Sequence, residues 1–199
     1  KKIMGRQSAG MGFLKTLCQY GQLQEMVGWC NNIQAAQDFT QDVELYAHAD
    51  VGSKVIGAAN VEQLSDIGTL YTPSPDLSPL AWQRARVGSA SWSLCGVTHT
   101  TCSTSVMDSI VSYLGSPVQP WDALVCTSQA ARTVVTKLLD EQERYLAQSL
   151  GAQTFTRPQL PVIPLGVDCA SFYFTPQQRQ QARARLNIPK GDMVVLYAG

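Results

Sequence analysis

Neither sign of charge is in excess in this sequence. Its 199 residues carry 15 Lys and Arg against 15 Asp and Glu, a formal net charge of zero. No basic stripe is available to neutralise phosphates, so no nucleic acid is expected as a partner. No apolar run reaches the length of a membrane span, so no transmembrane segment is expected either. The first residues lack the basic-then-apolar layout of a secretory signal, and the expected compartment is the cytoplasm. Cys18, Cys30, Cys95, Cys102, Cys126 and Cys169 are dispersed without a CxxC pair, and His48 and His99 have no ligand-spaced partner. That spacing gives a zinc site no support. The expectation is reduced thiols that pack as small hydrophobes, with no metal and no cofactor. Internal repeats and low-complexity tracts are also missing.

What the chain has is alternation. Apolar runs of strand length at 25–30, 54–58, 69–72, 94–98, 123–127, 162–164 and 193–198 are separated by segments of helical period. Their nearly continuous apolar character suits parallel strands covered on both faces. The clearest helix is Gln129–Leu150, where Val134, Val135, Leu138, Leu139 and Leu146 share a face, Ser128 can cap the start and Gly151 the end. Val106, Met107, Ile110, Val111 and Leu114 make a shorter stripe, and Pro79 opens a helix through Trp82 and Ala85. Strand and helix in turn predict an α/β fold, a Rossmann-like doubly wound parallel sheet. Residues 160–189 have a different texture. Pro161 and Pro164 stiffen the chain, Gly166 allows a turn, and Thr175-Pro176 opens a largely polar helix over 176–186. That helix reads as a segment lying across a surface, or as an ordinary peripheral helix.

Three stretches could carry chemistry. In "GRQSAGMGFLKTL", residues 5–17, glycines precede an amphipathic helix. A bare backbone with N–H groups at a helix start suits a phosphate. The sharper motifs fail, because Lys15 stands where a Rossmann fingerprint needs a small residue and Met11 where a P-loop needs lysine. A tight turn is the alternative. In "SLCGVTHTTCSTS", residues 93–105, an apolar strand ends at Thr98-His99-Thr100-Thr101. Ligands of open α/β sheets bind beyond the carboxyl ends of strands, where a histidine can donate a hydrogen bond or act as acid or base. A histidine satisfied by its threonine neighbours is the alternative. "YTPSPD", residues 71–76, puts Thr72 at the equivalent end of another strand. Ser128 follows a strand, but "VCTSQAA" lacks the glycines of a nucleophile elbow and no histidine follows it, so a serine hydrolase is excluded.

These pieces stand in a familiar order. "VIPLGVDCASF", then an arginine-rich helix, "LNIP" and "VVLYAG" resemble the interdomain linker and following strand of the family-four retaining glycosyltransferases. "ALVCTSQAARTVV" is similar to that family's serine-capped helix, "GVTHT" to its histidine-bearing strand and "SAGMGFLKTL" to its glycine loop. The "GRQ" ahead of that loop is not the common form. The resemblance implies the N-terminal half of a GT-B fold, in which two Rossmann-like domains face a cleft. Residues 1–164 would be the acceptor-side domain, 165–192 the linker and helix, and 193–199 the first strand of a donor-binding domain. It implies transfer of a sugar, with retention, from a nucleotide-sugar donor to a saccharide or lipid-linked acceptor, with this chain inactive alone and its own C-terminal domain as partner. Gly10, Met11 and Gly12 would present N–H groups to the donor diphosphate, with Arg6 and Ser8 on the same loop. His99 would be the catalytic residue, beside Thr98 and Thr72. A free-standing α/β ligand-binding module is the alternative function.

Overall fold

Among the described residues five short runs form strands, and every strand pairing is parallel. The structure, a computed structural model, describes residues 5–48, 50–167 and 169–195, with the side chains of residues 5–8, 170 and 171 outside the description. In chain order the elements are α1 (Gly5–Tyr20), β1 (Glu25–Cys30), α2 (Ile33–Tyr46), β2 (Gly52–Gly57), β3 (Thr69–Tyr71), α3 (Ser78–Ala85), β4 (Ser93–Val97), α4 (Thr104–Val111), β5 (Ala123–Val125), α5 (Gln129–Leu150) and α6 (Pro176–Arg185). Short 3₁₀ turns cover Val61–Asp66, Ser112–Gly115 and Cys169–Phe172. The fold is therefore α/β. The strands lie in two small sheets, β1-β2 and β3-β4-β5, an arrangement compatible with a Rossmann-like fold.

The chain divides into two compact units, Lys1–Leu165 and Gly166–Gly199. In the first, both sheets contribute to one core. Ile56 of β2 belongs to the same buried cluster as Leu94 of β4, Leu124 of β5, and Val135 and Leu139 of α5, and Val27 and Trp29 of β1 pack against it. A smaller cluster joins Cys18 of α1, Met26 of β1 and Val43 of α2. Two glycines permit these close approaches. A Cβ on Gly28 would stand 2.6 Å from the Phe39 ring, and one on Gly96 2.6 Å from the Ser74 carbonyl oxygen. A larger residue would have to displace the Phe39 ring at position 28 or the backbone at Ser74 at position 96.

Beneath the β4-β5 connection lies an ion pair with no exposed surface. The Arg84 guanidinium donates through Nη1 to Asp122 Oδ1 at 2.6 Å and through Nη2 to Oδ2 at 2.7 Å. Nη1 also donates to the Trp92 carbonyl, while the Leu94 and Gln119 N–H groups donate to the two Asp122 oxygens. These bonds use most of the pair's hydrogen-bonding capacity, Arg84 Nε alone having no partner among the described residues, and they tie α3, β4 and the chain entering β5 together.

Several expectations need correction. The glycine loop is not a loop, because residues 5–20 form one helix. Gly10, Met11 and Gly12 lie past the four N–H groups that a helix start leaves without partners, so their N–H groups serve the helix and a phosphate cradle from them is not formed. Beside β5, residues 159–163 make only isolated bridges, Ala123↔Gln159 and Cys126↔Val162, in place of the strand expected at 162–164. Met193–Val195 carry no strand; residues 196–198 of that expected strand lie outside the described residues. The helix α2 was not anticipated, although Asn32 caps it by accepting from the Ala35 N–H at 2.8 Å.

In the second unit α6 has a complete capping box. Thr175 Oγ1 accepts from the Gln178 N–H at 3.2 Å, and Gln178 Oε1 accepts from the Thr175 N–H at 2.8 Å. Arg183 closes the other end by donating to the carbonyls of Pro189 and Asp192. No residue of α6 is buried.

Candidate functional site at the carboxyl edge of the three-stranded sheet

Because β3, β4 and β5 run parallel, their carboxyl ends open on one edge. The Thr72 N–H donates to the Cys95 carbonyl at 2.8 Å, which places Thr72 directly after β3 and beside β4. Thr98, directly after β4, is buried. Its N–H donates to the Val125 carbonyl at 2.9 Å, its hydroxyl accepts from the Thr127 N–H at 3.1 Å, and the two threonine hydroxyls lie 3.4 Å apart. Thr98 thus stitches the ends of β4 and β5 together, a positioning role for a residue expected to touch substrate.

His99 follows at once. The residue is half-buried, and its Nε2 is enclosed with no hydrogen-bond partner among the described residues. An enclosed ring nitrogen without a partner costs desolvation that nothing repays, so such an atom calls for an explanation, and a bound ligand or water is the usual one. The threonine neighbours do not supply it. Thr100 Oγ1 lies 3.1 Å from Cys102 Sγ, and Thr98 is committed to β5. Ser128 accepts from the Ala131 N–H at 3.0 Å and is a helix cap, as the sequence indicates.

One component of this edge escaped the sequence reading. Phe13 of α1 stacks on Tyr71, the last residue of β3, with ring centroids 4.0 Å apart and planes 18° from parallel. Burial, and secondarily the Cys95 thiol, push the Tyr71 hydroxyl up from its ordinary pKa, and burial pushes Cys95 up. Both stay protonated and neutral near pH 7. The only available signal was an aromatic in a helix adjoining a strand-terminal aromatic, and reading the glycines as a loop concealed it.

The remaining candidates sit in a helix in place of the expected loop. Gly10, Met11 and Gly12 lie within α1, and the side chains of Arg6 and Ser8 are outside the described ones. Two surface hollows lie elsewhere. One, of about 270 Å³, lines the outer face of α2 at Ala36, Gln37, Thr40 and Gln41. The other, of about 190 Å³, lies beside Val43, His48 and Val51, where His48 Nε2 is 3.2 Å from the Gln19 carbonyl oxygen. Neither contains a chemically poised group. Among the described residues no set of three His, Cys, Asp or Glu side chains is placed to hold a metal ion, and no helix is long and apolar enough to cross a membrane. No protein-family model matches the chain, and no curated protein or solved structure matches it at significant similarity.

Proposed function

We propose that this chain is the acceptor-side, Rossmann-like domain of a GT-B enzyme that moves a sugar from a nucleotide-sugar donor to a saccharide or lipid-linked acceptor with retention. The observation that carries this reading is His99, at the carboxyl end of a parallel strand, with an enclosed Nε2 that no described residue satisfies. In such a transfer the glycosyl carbon gains positive character as the nucleotide diphosphate departs. A histidine at this edge can donate to a sugar hydroxyl or hold the incoming hydroxyl of the acceptor in line. The order of motifs from "GVTHT" through "VIPLGVDCASF" to "VVLYAG" supports the same reading. The groups that clamp the diphosphate would come from a second domain, and the reaction would need both halves closed to exclude water.

The test is direct. The coding sequence is expressed together with whatever follows it, and transfer from a panel of nucleotide sugars is measured. The expected result is turnover by the longer protein that falls about a hundredfold in His99→Ala, the scale of a lost proton-transfer or hydrogen-bonding group. Equal turnover by a normally folded His99→Ala protein removes the role. A longer protein that binds small ligands yet transfers nothing supports instead a ligand-binding module.

A further inference from the structure

We propose that the Phe13–Tyr71 stack is a platform for one neutral pyranose ring of the acceptor, with the ring's hydroxyls turned toward the hydroxyl-bearing strand ends beside it. The inference rests on the glycosyl-transfer reading and names the kind of sugar that the edge accepts.

The stack is not core. The residues of α1 that pack into the smaller cluster are Leu14, Leu17 and Cys18, and neither Phe13 nor Tyr71 belongs to either cluster. Phe13 remains 40% exposed. Tyr71 covers one of its faces, which leaves ring surface for something else. A helical aromatic leans back over the turn before it, and here that turn holds Ala9 and Gly10. A Cβ built on Gly10 or Gly12 would meet nothing within 4 Å, so the space beside these two glycines is open.

The surrounding chemistry selects the ligand. The three strand ends read "YTPSP" at 71–75, "VTHTTCSTS" at 97–105 and "CTSQAA" at 126–131. They are dense in hydroxyls and contain no Glu or Lys; the first runs into the exposed carboxylate of Asp76 and the third into Arg132. A phosphate or carboxylate would be drawn to a cluster of cations and bidentate donors, and these strand ends offer Arg132 alone, set against the Asp76 carboxylate. A pyranose combines one apolar C–H face with a rim of neutral hydroxyls. It fits a site made of an aromatic face and a few neutral polar groups.

The experiment titrates the 199-residue chain with three probes and follows the ring resonances of Phe13, Tyr71 and His99 by NMR. The probes are methyl hexopyranosides, the neutral nucleoside adenosine and the anionic UDP-glucose. Methyl hexopyranosides are expected to shift Phe13 and Tyr71. Phe13→Ala should weaken that binding about tenfold, and Phe13→Tyr should restore it, a loss of the size one stacked aromatic contributes. Tyr71→Leu, which keeps an apolar side chain at the strand end, should weaken it likewise. Circular dichroism checks that each variant is folded. Glycosides that shift His99 but not Phe13, or adenosine shifting the stack where glycosides do not, would overturn the platform while sugar transfer by the longer protein still stood. Glycosides held on the stack by a longer protein that transfers nothing would sustain the saccharide site and sink the transferase reading.

Discussion

Residues 1–165 and residues 166–199 solve the same problem by opposite means. In the first unit helices are held by packing. Val135 and Leu139 of α5 are fully buried, and the cap at Ser128 and the left-handed Gly151 at its end only mark where the helix stops. In the second unit α6 has the better caps and no buried residue, while Phe172 and Tyr173 beside it are 70% and 78% exposed. Caps fix where a helix begins and ends, but burial of an apolar face supplies most of its stability, and ten residues alone are marginal. The difference predicts that damage to the first unit will be global and damage to the second local.

The largest effect should follow from Asp122. Removing it strands the Arg84 guanidinium where neither partner has exposed surface, and leaves the Leu94 and Gln119 N–H groups without an acceptor. Asp122→Ala should cost about 3–5 kcal/mol, the usual result of breaking a buried pair from one side. Urea unfolding followed by tryptophan fluorescence measures this. The double variant Arg84→Met/Asp122→Leu should lose less than Asp122→Ala alone, because it leaves no uncompensated charge. Equal losses would show that the pair is not what holds α3 and β4 together.

This pair also shows what could be read from the sequence and what could not. Arg84 and Asp122 are 38 positions apart, and nothing local announces that they meet. The helix α5 was legible to the residue because stripe, serine cap and terminal glycine agree. Thr72, Thr98 and His99 were legible as strand-end residues because apolar runs fix where strands finish. The segment around Gly10 and Gly12 was misjudged: glycine lowers helix propensity by about 1 kcal/mol, yet packing of Leu14, Leu17 and Cys18 anchors the helix they sit in. Met193–Val195 are apolar enough for a strand, but a strand exists only with a ladder to join, and no run of residues specifies that by itself.

A smaller effect, with a pH signature, should come from Tyr113. Its hydroxyl donates to the Pro75 carbonyl inside the core, and burial pushes its pKa far above the ordinary tyrosine value. A folded-state pKa raised above the unfolded one means that the native state keeps its proton while the unfolded chain gives it up. The contribution is therefore complete below the unfolded value, near pH 10, and is lost as pH rises beyond it. Tyr113→Phe should lower stability at pH 7 by about 1 kcal/mol for the lost hydrogen bond, and flatten the decline above pH 10. Unfolding midpoints at pH 7 and at alkaline pH test both parts. A variant that declines as steeply as the wild type would assign the alkaline limb to other groups.

The smallest global effect should come from Thr175, and it sharpens the contrast most. Thr175→Ala removes the acceptor for the Gln178 N–H and leaves only the backbone N–H at 175 donating to the Gln178 side chain. The loss of such a cap is worth about 1 kcal/mol to the helix that carries it. In α6 that helix has no buried face to compensate, so a large part of its helical population should be lost, despite the favourable placement of Arg183 and Arg185 in its last turn. Amide exchange within α6 should quicken severalfold, and far-UV dichroism should fall by a fraction of a ten-residue helix. The main urea transition of the first unit should stay where it is, because its core contains no residue of α6. A midpoint that falls with Thr175→Ala would show that α6 lends stability to the larger unit, and that the two are not energetically separate.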